Sequence, residues 1–137
     1  MTRKGGKPRE RAGTDEPLPS REVVWIGSSK DDISAMPKPV RASFGYRLRR
    51  VQQGKPTDDT KALSLFGPGV YEFREAYDTN AYRMMYVVRL RKAVYVLHAL
   101  MKKSRSGIGL PKPDVKLIEA RLKRAIAMDK EDDHEEN

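Results

Sequence analysis

Apolar residues cluster most densely between Gly69 and Lys103. Val70 to Tyr77, Ala81 to Leu90 and Ala93 to Met101 are rich in Val, Tyr, Leu and Met. The breaks at Asp78-Thr-Asn80 and Arg91-Lys92 predict three strands joined by tight connections. An antiparallel meander is the simplest arrangement. Side chains alternate faces along a strand, so Arg83, Met85, Val87 and Arg89 share one face while Tyr82, Met84, Tyr86 and Val88 share the other. Arg74, Arg83, Arg89, Lys102 and Lys103 thus sit within or at the ends of strands, and the sheet can present a cationic surface.

The flanking segments predict one further strand and the helices that cover the sheet. Glu22 to Ile26 reads as a short strand closed by Gly27, followed by a brief helical turn through Asp31, Asp32 and Ile33 capped by Ser28 or Ser29. Trp25 is read as a core residue. Val40, Phe44, Leu48 and Val51 recur at helical spacing behind Pro37 and Pro39, and Gly54 closes the segment. Arg41, Arg49 and Arg50 fall off that stripe and form a basic face open to RNA, a protein partner or solvent. Lys55 to Pro68 is polar and turn-rich, anchored by Leu63, Leu65 and Phe66. Pro111 and Pro113 open a last helix whose stripe is Val115, Ile118, Leu122 and Ile126. The expected class is α+β: one domain over residues 21–128, with an antiparallel sheet of about four strands packed with helices. Residues 1–20 are expected to be a disordered basic arm and residues 129–137 a disordered acidic tail.

Composition narrows the chemistry. The chain has no cysteine, which excludes disulfides and thiolate zinc sites, and its only imidazoles are His98 and His134. No metal or cofactor is expected. No apolar run reaches the ~20 residues of a membrane span, and Met1 to Ser20 lacks a signal peptide's apolar segment, so a cytoplasmic protein with no membrane partner is expected. Net charge is +9, and residues 1–128 hold 27 basic against 13 acidic residues. A field of that size favours a polyanion, with nucleic acid first.

Phosphate-cradling glycine motifs are absent, and one histidine in folded sequence is too few for a nucleophilic triad. What remains is Arg74, Arg83, Lys102 and Lys103 with Tyr71, Tyr82, Tyr86 and His98 interleaved. Such a set can bind a phosphodiester, neutralise charge on its phosphorane oxygens and protonate a leaving 5′ oxygen without a metal. It suits RNA, whose 2′-hydroxyl lies beside the scissile phosphate and serves as an internal nucleophile. His98 has Val96 and Leu100 as strand neighbours, which predicts a half-buried ring with a structural hydrogen bond; a catalytic acid or base is the alternative. Arg83, a charge on a strand face, is expected to be dispensable for folding.

Gly67-Pro-Gly-Val-Tyr-Glu-Phe-Arg74, Tyr82-Arg-Met-Met-Tyr86, Val94-Tyr-Val-Leu-His-Ala-Leu-Met-Lys-Lys103 and Ile118-Glu-Ala-Arg-Leu-Lys123 together resemble the phage-derived branch of RelE/HigB-like toxins. The resemblance covers roughly residues 22–126 and is strongest over 67–103. It implies a compact fold with helices against an antiparallel sheet, and the toxin of a type II toxin–antitoxin system: an endoribonuclease that cleaves mRNA on the ribosome. It also implies a HigA-like helix-turn-helix antitoxin. Position by position, Arg83 matches the family's phosphate-contacting arginine, Arg74 the arginine ending Glu-Leu-Arg, and Lys102 and Lys103 the basic pair closing the last strand, with His98 beside them. Arg41, Arg49, Arg50, Arg89 and Arg105 are expected to add affinity for nucleic acid. After the lysines this chain departs from the family with Ser104-Arg-Ser-Gly-Ile-Gly-Leu-Pro111, so sequence preference does not transfer. Two other readings remain open: a catalytically inert RNA- or protein-binding module of the same fold, and an operon co-repressor acting with its antitoxin.

Overall fold

The computed structural model describes residues 20–55, 57, 59–88, 90, 93–103 and 109–136, without the side chains of Lys103 and residues 132–136. The basic arm up to residue 19, Arg89 and Arg105 lie outside the described residues. The elements run β1 (Glu22–Trp25), α1 (Ser29–Ser34), α2 (Lys38–Gln52), β2 (Thr60–Ala62), β3 (Val70–Tyr77), β4 (Asn80–Val87), β5 (Ala93–Lys103) and α3 (Lys112–Glu136), with a 3-10 turn at Ser64–Phe66 between β2 and β3.

The three-strand meander forms as the apolar pattern requires. Asp78 and Thr79, both at positive φ, make the two-residue connection from β3 to β4. The sheet has five strands in the order β1-β5-β4-β3-β2, one more than expected, because β2 pairs antiparallel with β3 from within the polar connection. It is also mixed rather than antiparallel throughout, since β1 runs parallel to β5.

Alternation sorts the core into two layers. On one face Val40, Phe44 and Leu48 of α2, with Ile33 of α1, pack on Phe73, Met84, Tyr86, Val94 and Val96. On the other, Ile118, Leu122 and Ala125 of α3 pack on Val70, Met85, Val87, Tyr95 and Leu97. Arg47 fastens α2 to β3: its guanidinium reaches the Glu75 carboxylate at 2.5 Å, donates to the Arg74 carbonyl at 3.0 Å and lies 5.5 Å from the Phe73 ring centroid.

The last helix runs to Glu136, through the stretch expected as an acidic tail. Asp129 is buried, with the Tyr95 hydroxyl 3.4 Å from its carboxylate. That contact gives the helix a reason to continue past Met128.

Candidate functional site

One patch of the sheet collects most of the charged strand residues. Glu72, Arg74 and Ala76 share a face of β3 and stand opposite Met85, Arg83 and Ala81 of β4. Those residues in turn stand opposite His98, Leu100 and Lys102 of β5. The α3-side core takes in Met85 and borders Leu100, so Glu72, Arg83 and His98 are buried, and the patch opens to solvent at Arg74 and Ala76.

The centre of the patch is a carboxylate. Glu72 is wholly buried, and burial of an unpaired carboxylate is prohibitively costly, so its oxygens are both engaged by cations. Arg83 donates to Oε1 through Nε and Nη2, each at 2.7 Å, and Arg74 donates through Nε to Oε2 at 2.7 Å. Two guanidiniums on one carboxylate leave a net positive charge. The arginines differ in access: the Arg74 side chain is 50 % exposed and that of Arg83 only 6 %.

A histidine–aspartate pair adjoins the arginine–glutamate cluster. His98 is buried, with Nε2 at 2.8 Å from Oδ1 of Asp114 in the first turn of α3, while Nδ1 is buried with no hydrogen-bond partner among the described residues. His98 lies diagonally across β4 and β5 from Arg83, a relation that places such positions about 7–8 Å apart. The helix that brings Asp114 here is positioned by Arg121. Between Met85 and Tyr86 the β4–β5 register slips, leaving Leu97 unpaired, and Arg121 donates to the Leu97 carbonyl at 2.9 Å and to the Ser28 hydroxyl at 3.1 Å. Gly27 makes room for it: at φ +58° a side chain is disfavoured, and a Cβ would stand 2.7 Å from the guanidinium. Lys102 donates to the Gly109 carbonyl at 3.2 Å, and Lys103 continues β5 with its backbone opposite Asn80.

The remaining candidates lie elsewhere. Tyr71, Tyr82 and Tyr86 belong to the α2 side of the sheet, where the Tyr86 ring lies tilted with its centroid 4.6 Å from that of Phe73 and 5.9 Å from that of Tyr71. Burial pushes the Tyr86 phenol above its ordinary range, with the hydrogen bond to Thr60 acting in the opposite direction. These tyrosines are core, not partners of the arginines. Arg41, Arg49 and Arg50 sit on α2, across the sheet from Arg74 and Arg83, and Arg41 donates to the Met36 carbonyl at 3.0 Å. Sequence reasoning misses three participants. Glu72 carries a usable signal, since a spacing of two puts it on the face of Arg74; Asp114 and Arg47 carry none, because their partners are distant in the chain.

The family model described as phage-derived protein Gp49-like matches residues 31–123, a span that contains the whole patch. The chain belongs to the Gp49-like family. This agrees with the phage-derived branch read from the motifs between Gly67 and Lys103. No curated protein matches the chain. Among solved structures, this Gp49-like chain is similar to an arginine-to-alanine double mutant of the E. coli toxin RelE in the free state, with a TM-score of 0.50 and 14 % identity over 77 % of this chain and 97 % of that one. The Gp49-like chain therefore has a RelE-like α+β fold. The toxin–antitoxin complex RelBE2 from Mycobacterium tuberculosis gives a TM-score of 0.44 and 17 % identity, over 66 % of this chain and 100 % of that one. Among the described residues, no helix is long and apolar enough to cross a membrane.

Proposed function

We propose that the protein is the toxin of a type II toxin–antitoxin system and cleaves mRNA on the ribosome, with the RNA's own 2′-hydroxyl as nucleophile. The observation that carries this reading is the strand patch on which Glu72 holds the half-exposed Arg74 and the buried Arg83 beside the His98–Asp114 pair and Lys102. The 2′-oxygen attacks the adjacent phosphorus, its proton passes to a base, and the 5′-oxygen leaves as a hydroxyl after accepting a proton. The products carry a 2′,3′-cyclic phosphate and a 5′-hydroxyl. Charge grows on the non-bridging oxygens in the transition state, where Arg74 and Lys102 supply donors and the net positive charge of the arginine–glutamate cluster adds to the field. His98, held through Nε2 on the Asp114 carboxylate, is the imidazole of the patch and the group assigned to proton transfer. Guanidinium and ammonium cations neutralise the developing charge and the substrate's own hydroxyl is the nucleophile, so the step needs no metal.

The partner assignment is part of this proposal: an antitoxin of the HigA-like helix-turn-helix kind, with the ribosome and its mRNA as targets. The test is induced expression in a bacterial host with 5′-end mapping of cellular mRNA. The expected result is growth arrest with new cleavage ends in translated frames, relieved by co-expression of the neighbouring antitoxin frame. Unimpaired growth and intact mRNA at high toxin levels would overturn the reading in favour of an inert binding module.

A further inference from the structure

We infer that Glu72 is a positioning residue, whose buried carboxylate turns Arg83 into a fixed strut and holds Arg74 as the arginine that meets the scissile phosphate; this rests on the RNA-cleaving role proposed above. The geometry is asymmetric in a way that assigns different work to the two arginines. Arg83 commits both Nε and Nη2 to one oxygen of Glu72, and its side chain is almost entirely covered. Arg74 commits only Nε, to the other oxygen, and half of its side chain faces solvent. Directly opposed cations on neighbouring strands repel, as Arg74 and Arg83 do in the β3–β4 register, and Glu72 converts that repulsion into a bridge. A guanidinium gripped at Nε cannot swing about its last torsion without breaking a charge-assisted bond, so the two Nη groups of Arg74 are oriented before any substrate arrives.

The sign of the expected effect separates positioning from simple electrostatics. Removing a negative charge from beside two arginines strengthens the field felt by RNA, so an electrostatic role for Glu72 predicts that its loss helps binding and turnover. A positioning role predicts the opposite for turnover, because the exposed arginine is freed to sample unproductive directions. It also explains why lysine could not serve at Arg74: an ammonium has no Nε branch for the carboxylate to grip while other donors face outward.

The experiment is steady-state cleavage of a ribosome-programmed mRNA by full-length wild type, Glu72→Gln, Arg74→Ala, Arg74→Lys and the double variant Glu72→Gln/Arg74→Ala. Glu72→Gln should lower kcat by about 100-fold, the scale of one lost transition-state donor, with KM unchanged or lower. In the Arg74→Ala background the same change should cost no more than about threefold, because the group it positions is gone. Arg74→Lys should be as poor as Arg74→Ala, and since Arg74 is half exposed this variant tests the idea even if Glu72→Gln does not fold. A folded Glu72→Gln with wild-type kcat, penalties that multiply fully in the double variant, or an active Arg74→Lys would each overturn the assignment while leaving the RNA-cleaving reading intact. A wild-type protein that cleaves nothing would remove both.

Discussion

Asp114 and His98 meet across the junction of α3 and β5, with 2.8 Å between Oδ1 and Nε2. The carboxylate comes from a helix first turn, where negative charge is favoured, and it fixes the orientation of the imidazole ring. Asp114→Asn should therefore lower cleavage by about 100-fold, the lower end of what a positioned acid or base contributes, with little change in ribosome binding. Single-turnover rates with saturating ribosomes would separate the two. Full activity in a folded Asp114→Asn protein would make His98 a structural residue, as its strand neighbours first suggested.

Arg83→Ala should cost both activity and stability. Sequence alone treats Arg83 as a strand-face charge that folding does not need, but its guanidinium is buried on a buried carboxylate. Truncation leaves Glu72 with Arg74 alone, and breaking a buried ion pair from one side costs about 3 kcal/mol. Urea denaturation of Arg83→Ala and Arg74→Ala, compared with wild type, checks this: the first should unfold at clearly lower denaturant, the second close to wild type.

These two residues also mark where sequence reading stops. The meander of β3, β4 and β5, the face shared by Arg83 and Met85, and the apolar stripes of α2 and α3 are all legible, because each is a local period written along the chain. The parallel pairing of β1 with β5, the register slip at Leu97 and the bond between Asp114 and His98 are not. Each joins residues whose proximity depends on the whole topology, and no local spacing encodes it. Glu72 lies between these cases: its face is readable, but its burial depends on how closely Arg83 packs over it.

Tyr86 gives the protein an alkaline weakness. Burial holds its phenol protonated above the ordinary value of 10.0. Below that value folded and unfolded chains both carry the proton; above it the unfolded chain releases the proton that the folded chain retains, so stability falls as pH rises. Tyr86→Phe should show a shallower loss of denaturation midpoint than wild type as pH rises above about 10. Parallel curves for the two proteins would show that Tyr86 does not carry the effect.

The arginines of α2 should act on the ribosome and not on a short substrate. They lie across the sheet from Arg74, so a free oligonucleotide seated on the patch does not reach them, whereas a ribosome can present phosphates to both faces. Reversing charge at Arg49 and Arg50 should flatten the salt dependence of ribosome affinity, by nearly one unit of slope for each phosphate that the helix no longer neutralises. Cleavage of a short RNA should stay within about twofold, the spread expected of a surface change remote from the site. An unchanged slope on ribosomes would assign this face to a protein partner or to solvent.

The nucleophile of the proposed reaction belongs to the RNA, and the chemistry of the patch turns on it. The most direct measurement programs ribosomes with two mRNAs that differ only by a 2′-deoxy nucleotide at the mapped cleavage position, and treats both with the wild-type protein. The all-ribose message should be cut to leave a 2′,3′-cyclic phosphate, and the substituted message should remain whole at that position while binding equally well. Cleavage of the 2′-deoxy message at the same bond would show that an external nucleophile does the work, and would contradict the mechanism built on Arg74, Glu72 and His98.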